Sequence, residues 1–295
     1  MDGKHRHKRR ILADAPQYPE VLPIVREAIK WRYEYLPFLY GSSTLSQNAD
    51  GTSNSLMWDS HINANPTNAW LGWGDFATDP VLFSPEILDG FDSWLGAGQM
   101  LSTPALFEGM LSREVYFPKS SPEDGSLYFD LYAPYKTYVA GSRATVSTPL
   151  EHMGLFARER AVIPIGKPQA TVTQTSGPAR TTGDGVDVVL ESEGGVVGLD
   201  DWRGVQIFPG QSGTYSGSWI EDDGISAEPA RSVIEVIYLA GKEEVEVTAT
   251  FLEKEFKPLW GRTVHVLLPF GDRRKVKGAE ETTGRDRAAW VIQVS

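Results

Sequence analysis

The sequence contains no cysteine, which excludes disulfide bonds, thiolate metal sites and cysteine nucleophiles together. Long apolar segments are absent as well. No run approaches the roughly 20 apolar residues that a membrane-spanning helix requires, and no apolar stretch follows Met1 as it would in a secretory signal peptide. The sequence therefore predicts neither a membrane segment nor a signal peptide, and it leaves the compartment open.

The sequence contains fewer basic than acidic residues. The 295 residues include 28 Lys and Arg against 39 Asp and Glu, which gives a formal net charge of −11. Nucleic acids and anionic membranes are bound through a basic surface, so neither is a predicted partner. The one basic run lies within residues 1–17, which we expect to form a disordered tail. His5 and His7 in this tail lack the further ligands that a metal site needs.

Familiar catalytic motifs are also absent, because the sequence has no Gly-x-Ser-x-Gly, His-Glu-x-x-His, P-loop or dinucleotide-binding pattern. Aromatic residues are plentiful, with 9 Trp, 11 Tyr and 12 Phe. Such rings fill β-sheet cores or stack on sugar faces, and burial in a core is the commoner role. Composition alone therefore does not assign a function.

One helix is predicted near the amino terminus, from Pro19 to Tyr40. Leu22, Val25 and Ile29 recur at helical spacing, and prolines are tolerated at the start of a helix. The small polar residues 41–54 cannot propagate a helix. We interpret them as an insertion, either a surface loop or translated intron sequence. A second short helical segment is predicted at 55–61.

The remainder of the chain is predicted to be mainly β. A glycine-containing strand is expected at 68–77 and a compact antiparallel module at 94–166. Beyond it, apolar and polar residues alternate in segments separated by Gly, Asp or Pro turns, which is typical of a β-sandwich. The candidate strands are 170–174, 186–191, 205–208, 233–239, 244–251, 263–268 and 289–294.

An acidic cluster occurs at Trp219-Ile-Glu-Asp-Asp-Gly224. Carboxylates could bind calcium, but the ligand spacing of an EF-hand is absent and Asp-Gly favours a tight turn by itself. We therefore predict a turn here and no metal site.

Three segments of the chain, Gly98–Pro104, Val115–Pro118 and Arg158–Pro164, together resemble glycoside hydrolase family 31, the α-glucosidase and α-xylosidase family. In that family the chain leaves its barrel through Gly-x-x-Leu-Leu-x-x-Pro, forms a Val-Tyr-x-Pro strand and ends in Arg-x-Gly-x-Ile-x-Pro. Arg160 departs from the last pattern, because the family has glycine there. The last barrel helix of the family is matched by Arg26, Ala28, Ile29, Arg32, Tyr33, Leu36, Pro37 and Tyr40.

The resemblance implies two β-sandwich domains preceded by a short α/β remnant of a (β/α)8 barrel. Residues 18–95 would be the terminal βα remnant, with 41–54 inserted, residues 96–166 the proximal sandwich and residues 167–295 the distal sandwich. It further implies a retaining α-glycosidase that hydrolyses α-glucosidic or α-xylosidic bonds without a cofactor. Its carbohydrate substrate would bind through the rest of the barrel.

The chemistry of that reaction requires two carboxylates about 5–5.5 Å apart. The family motifs that supply the nucleophile and the acid are absent from this sequence, so we assign no catalytic residue and expect the isolated chain to be inactive. Barrel chemistry lies at the carboxyl ends of the strands. Trp73 and Asp75, in the predicted strand at 68–77, are therefore the candidate substrate-binding residues, although simple packing is the commoner explanation for both.

The alternative is a non-catalytic carbohydrate-binding or scaffold module. Trp202, Trp219 and Trp260 would then be stacking platforms, and their rings should be exposed together on one face.

Overall fold

The protein is described here by a computed structural model. The described residues are 21–45, 94–96, 99–118, 123–167, 180–182, 185–189, 191–192, 195–196, 201–223, 229–283 and 287–295. The predicted tail, the helical segment at 55–61 and the strands at 68–77 and 170–174 lie outside these residues.

Two consecutive helices replace the single helix predicted for 19–40. The first, α1, spans Leu22–Glu34, and the second, α2, spans Leu36–Leu45. Tyr35 lies between them outside helical geometry. Pro37 explains the break, since it has no N–H to donate to the carbonyl of Tyr33 and so interrupts the helical hydrogen bonds where α1 ends.

The prediction that residues from Gly41 onward cannot be helical is wrong for the first five of them, because α2 continues to Leu45. The helix packs against strands of the β-sheets that follow it. Tyr40 donates a hydrogen bond to Oδ2 of Asp222 at 2.5 Å. Tertiary packing of this kind outweighs weak intrinsic helix propensity.

The first group of sheets is formed by seven strands. One five-stranded sheet has the order β1-β2-β7-β4-β5, and β3 pairs with β6 in a separate ribbon. The core between them includes the buried side chains of Leu101, Val115, Phe117, Tyr128 and Phe156. Tyr138 packs against this core and stacks on Phe117 at 4.5 Å. The strands are β1 Trp94–Gly96, β2 Met100–Thr103, β3 Ser112–Tyr116, β4 Leu127–Asp130, β5 Thr137–Val139, β6 Arg143–Ser147 and β7 Gly154–Arg158.

The second group begins at β8. A five-stranded sheet of order β19-β20-β17-β13-β8 faces a four-stranded sheet of order β14-β15-β16-β18, while β9 with β10 and β11 with β12 form two-stranded sheets. The strands are β8 Val162–Gly166, β9 Arg180–Thr182, β10 Gly185–Val189, β11 Glu191–Ser192, β12 Gly195–Val196, β13 Arg203–Ile207, β14 Gly213–Glu221, β15 Ser232–Ala240, β16 Glu244–Lys254, β17 Thr263–Leu267, β18 Lys275–Val276, β19 Glu280–Thr283 and β20 Ala288–Gln293.

The mainly β prediction is confirmed. Strands predicted from alternation coincide closely with β13, β15, β16, β17 and β20. In β15 and β16 the burial alternates along most of each strand, as expected for strands with one face on a core. The core contains aliphatic residues of β15, such as Ile234 and Val236, together with Trp219 of β14.

Strand β8 connects the two groups of sheets. The sequence placed Ala161–Gly166 within the first module, but β8 pairs antiparallel with β13 of the second. All five of its residues are buried, so its sequence is apolar without alternation and does not reveal which sheet it joins. The change of sheet falls at the turn after β7. The division into domains at residues 95 and 166 stays a prediction.

A third apolar cluster joins the helices to both groups of sheets. It contains Tyr35 and Phe38 from the helical segment, Met100 and Leu155 from the first sheet, and Ile163 and Phe208 from the second, among others. The helix pair is therefore anchored on one side by a shared core.

Candidate functional site

The candidate residues Trp73 and Asp75 lie outside the described residues. Their substrate-binding role stays a prediction. The candidate platforms of the alternative function are described, and the structure contradicts that arrangement. Trp219 is 1% exposed and Trp260 is 5% exposed, and both belong to the distal core. Trp202 alone is half-buried, with its ring stacked on His265 at 5.1 Å.

The predicted turn at 219–224 is wrong for its first three residues, because Trp219, Ile220 and Glu221 complete strand β14. Glu221 is buried and accepts hydrogen bonds from Nε of Arg203 at 2.7 Å and Nη2 of Arg203 at 2.9 Å. Nε1 of Trp219 donates to the same carboxylate at 2.7 Å. Glu221 of this acidic cluster therefore forms a buried ion pair with Arg203 between β13 and β14.

The motifs that carry the family resemblance occupy structural positions. Val115 and Phe117 are core residues, and the carbonyl of Pro118 accepts a hydrogen bond from the hydroxyl of Tyr128 at 2.8 Å. Nη2 of Arg158 donates to Oδ2 of Asp124 at 2.6 Å. These residues hold the first sheet together, and they contribute packing and hydrogen bonds rather than reactive groups.

A cavity of about 470 Å³ lies where α1, the loop after β4 and the second five-stranded sheet meet. Its position follows from the fold, since three separate elements each contribute one wall. Helix α1 supplies Trp31 and Glu34, the loop supplies Tyr132 and Tyr135, and the second sheet supplies Gln206. No pattern in the sequence marks these residues as neighbours, because they are contributed by segments more than 70 positions apart.

Aromatic rings form an ordered array in this cavity. Tyr35 stacks on Trp31 at 5.2 Å, Trp31 on Tyr132 at 4.7 Å, and Tyr132 on His152 at 4.5 Å. On another wall Tyr135 stacks on Phe270 at 3.9 Å. Rings in such stacks are held rigidly and present both apolar surface and polar edges.

Polar groups of the cavity are partly removed from water. The hydroxyl of Tyr35 donates to Oε1 of Gln206 at 3.2 Å. Burial, followed by the charge of Glu34, raises the pKa of Tyr35. Burial also raises the pKa of Tyr132 to about 12 and raises the pKa of Asp130 above its ordinary value. The two tyrosines are therefore neutral hydrogen-bonding groups at physiological pH.

The outer face of the helix pair carries a second feature, a row of exposed apolar residues. Val25, Ile29, Tyr33, Leu36 and Tyr40 recur every three or four positions, and Tyr33 is 59% exposed. This row is called the helix stripe below. A row at helical spacing is typical of a face that packs against another element. The opposite face already packs on the sheets through Tyr35 and Phe38.

A smaller exposed apolar patch lies on two loops of the first group of sheets. Phe107 and Leu111 follow β2, and Leu150 follows β6; each is about 70% exposed. Thr148 joins the loops by donating its backbone N–H to the carbonyl of Leu111 at 2.8 Å.

Two further functions find no support in the described residues. Within the ranges given above, no group of three or more His, Asp or Glu side chains could hold a metal ion. Neither α1 nor α2 combines the length and hydropathy that crossing a membrane requires, and no other helix is described.

Comparison with solved structures identifies the fold. A glycoside hydrolase family 31 dextranase from Flavobacterium johnsoniae superposes with a TM-score of 0.57 and 16% identity over 89% of this chain and 26% of the dextranase. A family 31 α-xylosidase from Xanthomonas citri superposes with a TM-score of 0.51 and 21% identity, over 83% of this chain and 22% of the xylosidase.

Comparison of sequences gives one curated relative, Glucoamylase 1 of Candida albicans. It is 28% identical over an alignment of 206 residues that covers 67% of this chain and 19% of the relative. No family model matches the chain. The chain thus spans about a fifth to a quarter of the length of the proteins it matches. Its fold is that of the corresponding part of glycoside hydrolase family 31 enzymes, which confirms the resemblance stated from the sequence motifs.

Proposed function

We propose that this chain is the carboxyl-terminal part of a family 31 retaining α-glycosidase. The complete enzyme would hydrolyse α-glucosidic or α-xylosidic bonds through a glycosyl-enzyme intermediate, without a cofactor. The observation that carries the proposal is the succession of a helix and two groups of sheets, which superposes on family 31 enzymes over more than four fifths of this chain.

The helix stripe supports this proposal. An apolar row at helical spacing is typical of a helix face that packs against another element, and the described sheets cover the other side of the helix pair. In the proposed enzyme the other face would pack against the rest of the catalytic barrel. The residues of the stripe include Ile29, Tyr33, Leu36 and Tyr40, which match the last barrel helix of the family.

The role of this chain within the enzyme would then be structural. The β-sheets would brace the last barrel helix through the shared apolar cluster around Tyr35 and Phe38. The catalytic carboxylates would come from the upstream part of the barrel, so the isolated chain would not hydrolyse glycosides. The names of the matched proteins differ in substrate, and the proposal is accordingly a class of bond rather than one sugar.

The test compares two proteins on aryl α-glucoside and aryl α-xyloside. One is the purified 295-residue chain, and the other extends upstream through the same reading frame. We expect hydrolysis by the extended protein alone. Hydrolysis by the short chain would place a catalytic pair within it, and the region around Asp75 would be the first to substitute. Inactivity of a folded extended protein on both substrates would refute the proposed reaction.

A further inference from the structure

The cavity at the junction of α1 and the two groups of sheets has no role in the proposed function, which places the chemistry in the barrel. Its volume of about 470 Å³ falls within the roughly 300–1,000 Å³ of small-molecule sites in proteins. Stacked aromatic rings stiffen its walls, so the space is defined by rigid groups.

The charges around the cavity balance. Two carboxylates, Glu34 and Asp130, face two cations, Lys167 and Arg287. A ligand with a net charge would meet the opposite charge and the like charge together, and would gain little. A purely apolar ligand would remove these ionic groups from water without replacing their hydrogen bonds. The balance therefore favours a neutral ligand that carries many hydrogen-bonding groups.

The aromatic residues add apolar surface beside these polar groups. His152 ends one stack of rings, and Trp202 is half-buried with His265 on one side. Gln206 contributes an amide and Tyr35 a hydroxyl that stays neutral because burial raises its pKa. Carbon-bound hydrogens that lie against rings and hydroxyls that meet carboxylates and amides are the complementary features of a pyranose.

One residue that lines the cavity has a strained backbone conformation. Tyr135, which lines the cavity, has φ of 56°, in the left-handed region that glycine favours. This conformation is unfavourable for a non-glycine residue, and residues held in such conformations are concentrated at ligand sites. Its ring lies on Phe270, whose other neighbour is the guanidinium of Arg287 at 4.5 Å from the ring centre.

We propose that this cavity binds a neutral pyranose. The proposal depends on the chemistry of the described cavity and not on the identity of the parent enzyme.

Binding is tested on the full 295-residue chain by saturation-transfer NMR and calorimetry. The probes are methyl α-D-glucopyranoside, methyl α-D-xylopyranoside and D-glucuronate. We expect saturable binding of at least one neutral glycoside with a Kd on the order of 1 mM, and weaker binding of the anionic glucuronate.

Two variants locate the site. Trp202→Leu and His152→Ala should each weaken binding by about tenfold, because each removes an aromatic ring that lines the cavity. Phe251→Leu is the matched control, since Phe251 is also a half-buried ring stacked on a neighbour, Trp260, and does not line the cavity. Circular dichroism verifies the fold of each variant.

Three results would overturn the proposal: no binding of either neutral glycoside by the folded chain, tighter binding of glucuronate, or equal loss in Phe251→Leu. If one cavity variant fails to fold, the other decides. These results are independent of the hydrolysis test, because binding is measured without the upstream barrel and hydrolysis is measured with it.

Discussion

The distal pair of sheets and the helix pair α1–α2 differ in how completely their apolar residues are covered. In the distal sandwich Ile234 is 0% exposed and lies in a core enclosed by two sheets of this chain. In α1, Ile29 is 49% exposed, although Trp31 of the same helix packs against the apolar cluster shared with the sheets. The same side-chain type thus contributes to a closed core in one region and to an open face in the other.

This difference shows in which regions the apolar side chains are covered by other described residues of the same chain. The strands of the distal sandwich bury their apolar faces against each other, as independent two-layer structures do. Among the described residues, the helix pair has one face that packs on the sheets and one that is exposed. Substitutions in the two regions should therefore differ in effect, and the difference should change when the proposed upstream barrel is supplied.

The largest expected effect is in the distal region, at the buried ion pair. Glu221→Ala should lower the free energy of unfolding by about 3–5 kcal/mol, because the buried guanidinium of Arg203 loses its carboxylate partner. Urea denaturation measures this. Glu246→Ala is the control, since Glu246 contacts Lys277 at 3.1 Å on the surface and should contribute less than about 1 kcal/mol. Equal effects of the two substitutions would contradict the assignment.

The comparison is tested most directly by the same substitution in both regions. Ile234→Ala should cost about 2–5 kcal/mol, since it opens a space in a closed core. Ile29→Ala should change stability by no more than about 0.5 kcal/mol in this chain, because the side chain is exposed and alanine favours helix.

In the upstream-extended protein the second result should change. If the helix stripe packs against the barrel, Ile29→Ala should then cost about 2 kcal/mol or more. Thermal and urea denaturation of both proteins measure it. An unchanged, small effect in a folded extended protein would show that the stripe remains uncovered there.

A smaller effect is expected at the turn between β7 and β8, which joins the two groups of sheets. Arg160 has φ of 78°, and Ala161 donates its N–H to the carbonyl of Arg158 at 3.1 Å, so Arg160 is at the turn position that glycine favours. Its guanidinium lies over the ring of Tyr215 at 5.4 Å.

Arg160→Gly and Arg160→Ala both remove the contact with Tyr215, but only glycine relieves the backbone. The glycine variant should therefore be more stable than the alanine variant by about 1 kcal/mol, as measured by urea denaturation. In strands and helices the order of these two residues is the reverse. If the alanine variant were at least as stable as the glycine variant, the backbone of Arg160 would not be strained.

The smallest effect is a pH dependence at Asp130 in the junction cavity. Burial raises its pKa in the folded state, while the neighbouring His152 and Lys136 oppose this only in part. The folded protein then holds the proton more tightly than the unfolded chain, so stability falls as pH rises from the ordinary aspartate pKa, 3.8, through the raised value.

Asp130→Asn removes this contribution and keeps an oxygen that can accept the hydrogen bond from the N–H of Tyr132. Its stability relative to the unmodified chain should increase as pH rises across that interval and then level off. Urea denaturation at a series of pH values measures the difference. A relative stability that decreases with pH would mean that the folded pKa of Asp130 is lowered.

Much of the distal fold could be predicted from local patterns. Segments such as 233–239 and 244–251 alternate apolar and polar residues, and they form β15 and β16 with nearly the predicted bounds. Strand β14 was not predicted, because Gly213–Ser218 is rich in glycine and serine and alternates weakly. At the end of this strand, acidic residues followed by glycine predict a turn, because Asp-Gly favours a tight turn by itself.

The candidate site was much less predictable. Trp202 was selected as a surface platform, and the structure places it in a cavity beside residues of α1 and of the loop after β4. Trp31 and Tyr132 had no distinguishing motif. Their proximity depends on how separate elements pack, which no local pattern records.

The sequence by itself determined the strand-rich composition, the helical character of the segment near the amino terminus and the motifs shared with family 31 enzymes, because propensity and periodicity act over a few neighbouring residues. Tertiary structure alone decided that β8 joins the second sheet, that Glu221 pairs with Arg203, and that three elements enclose a cavity. These features depend on which surfaces meet although they are far apart in the chain. The free energy gained by burying apolar surface depends on how the elements pack together, which local sequence does not determine.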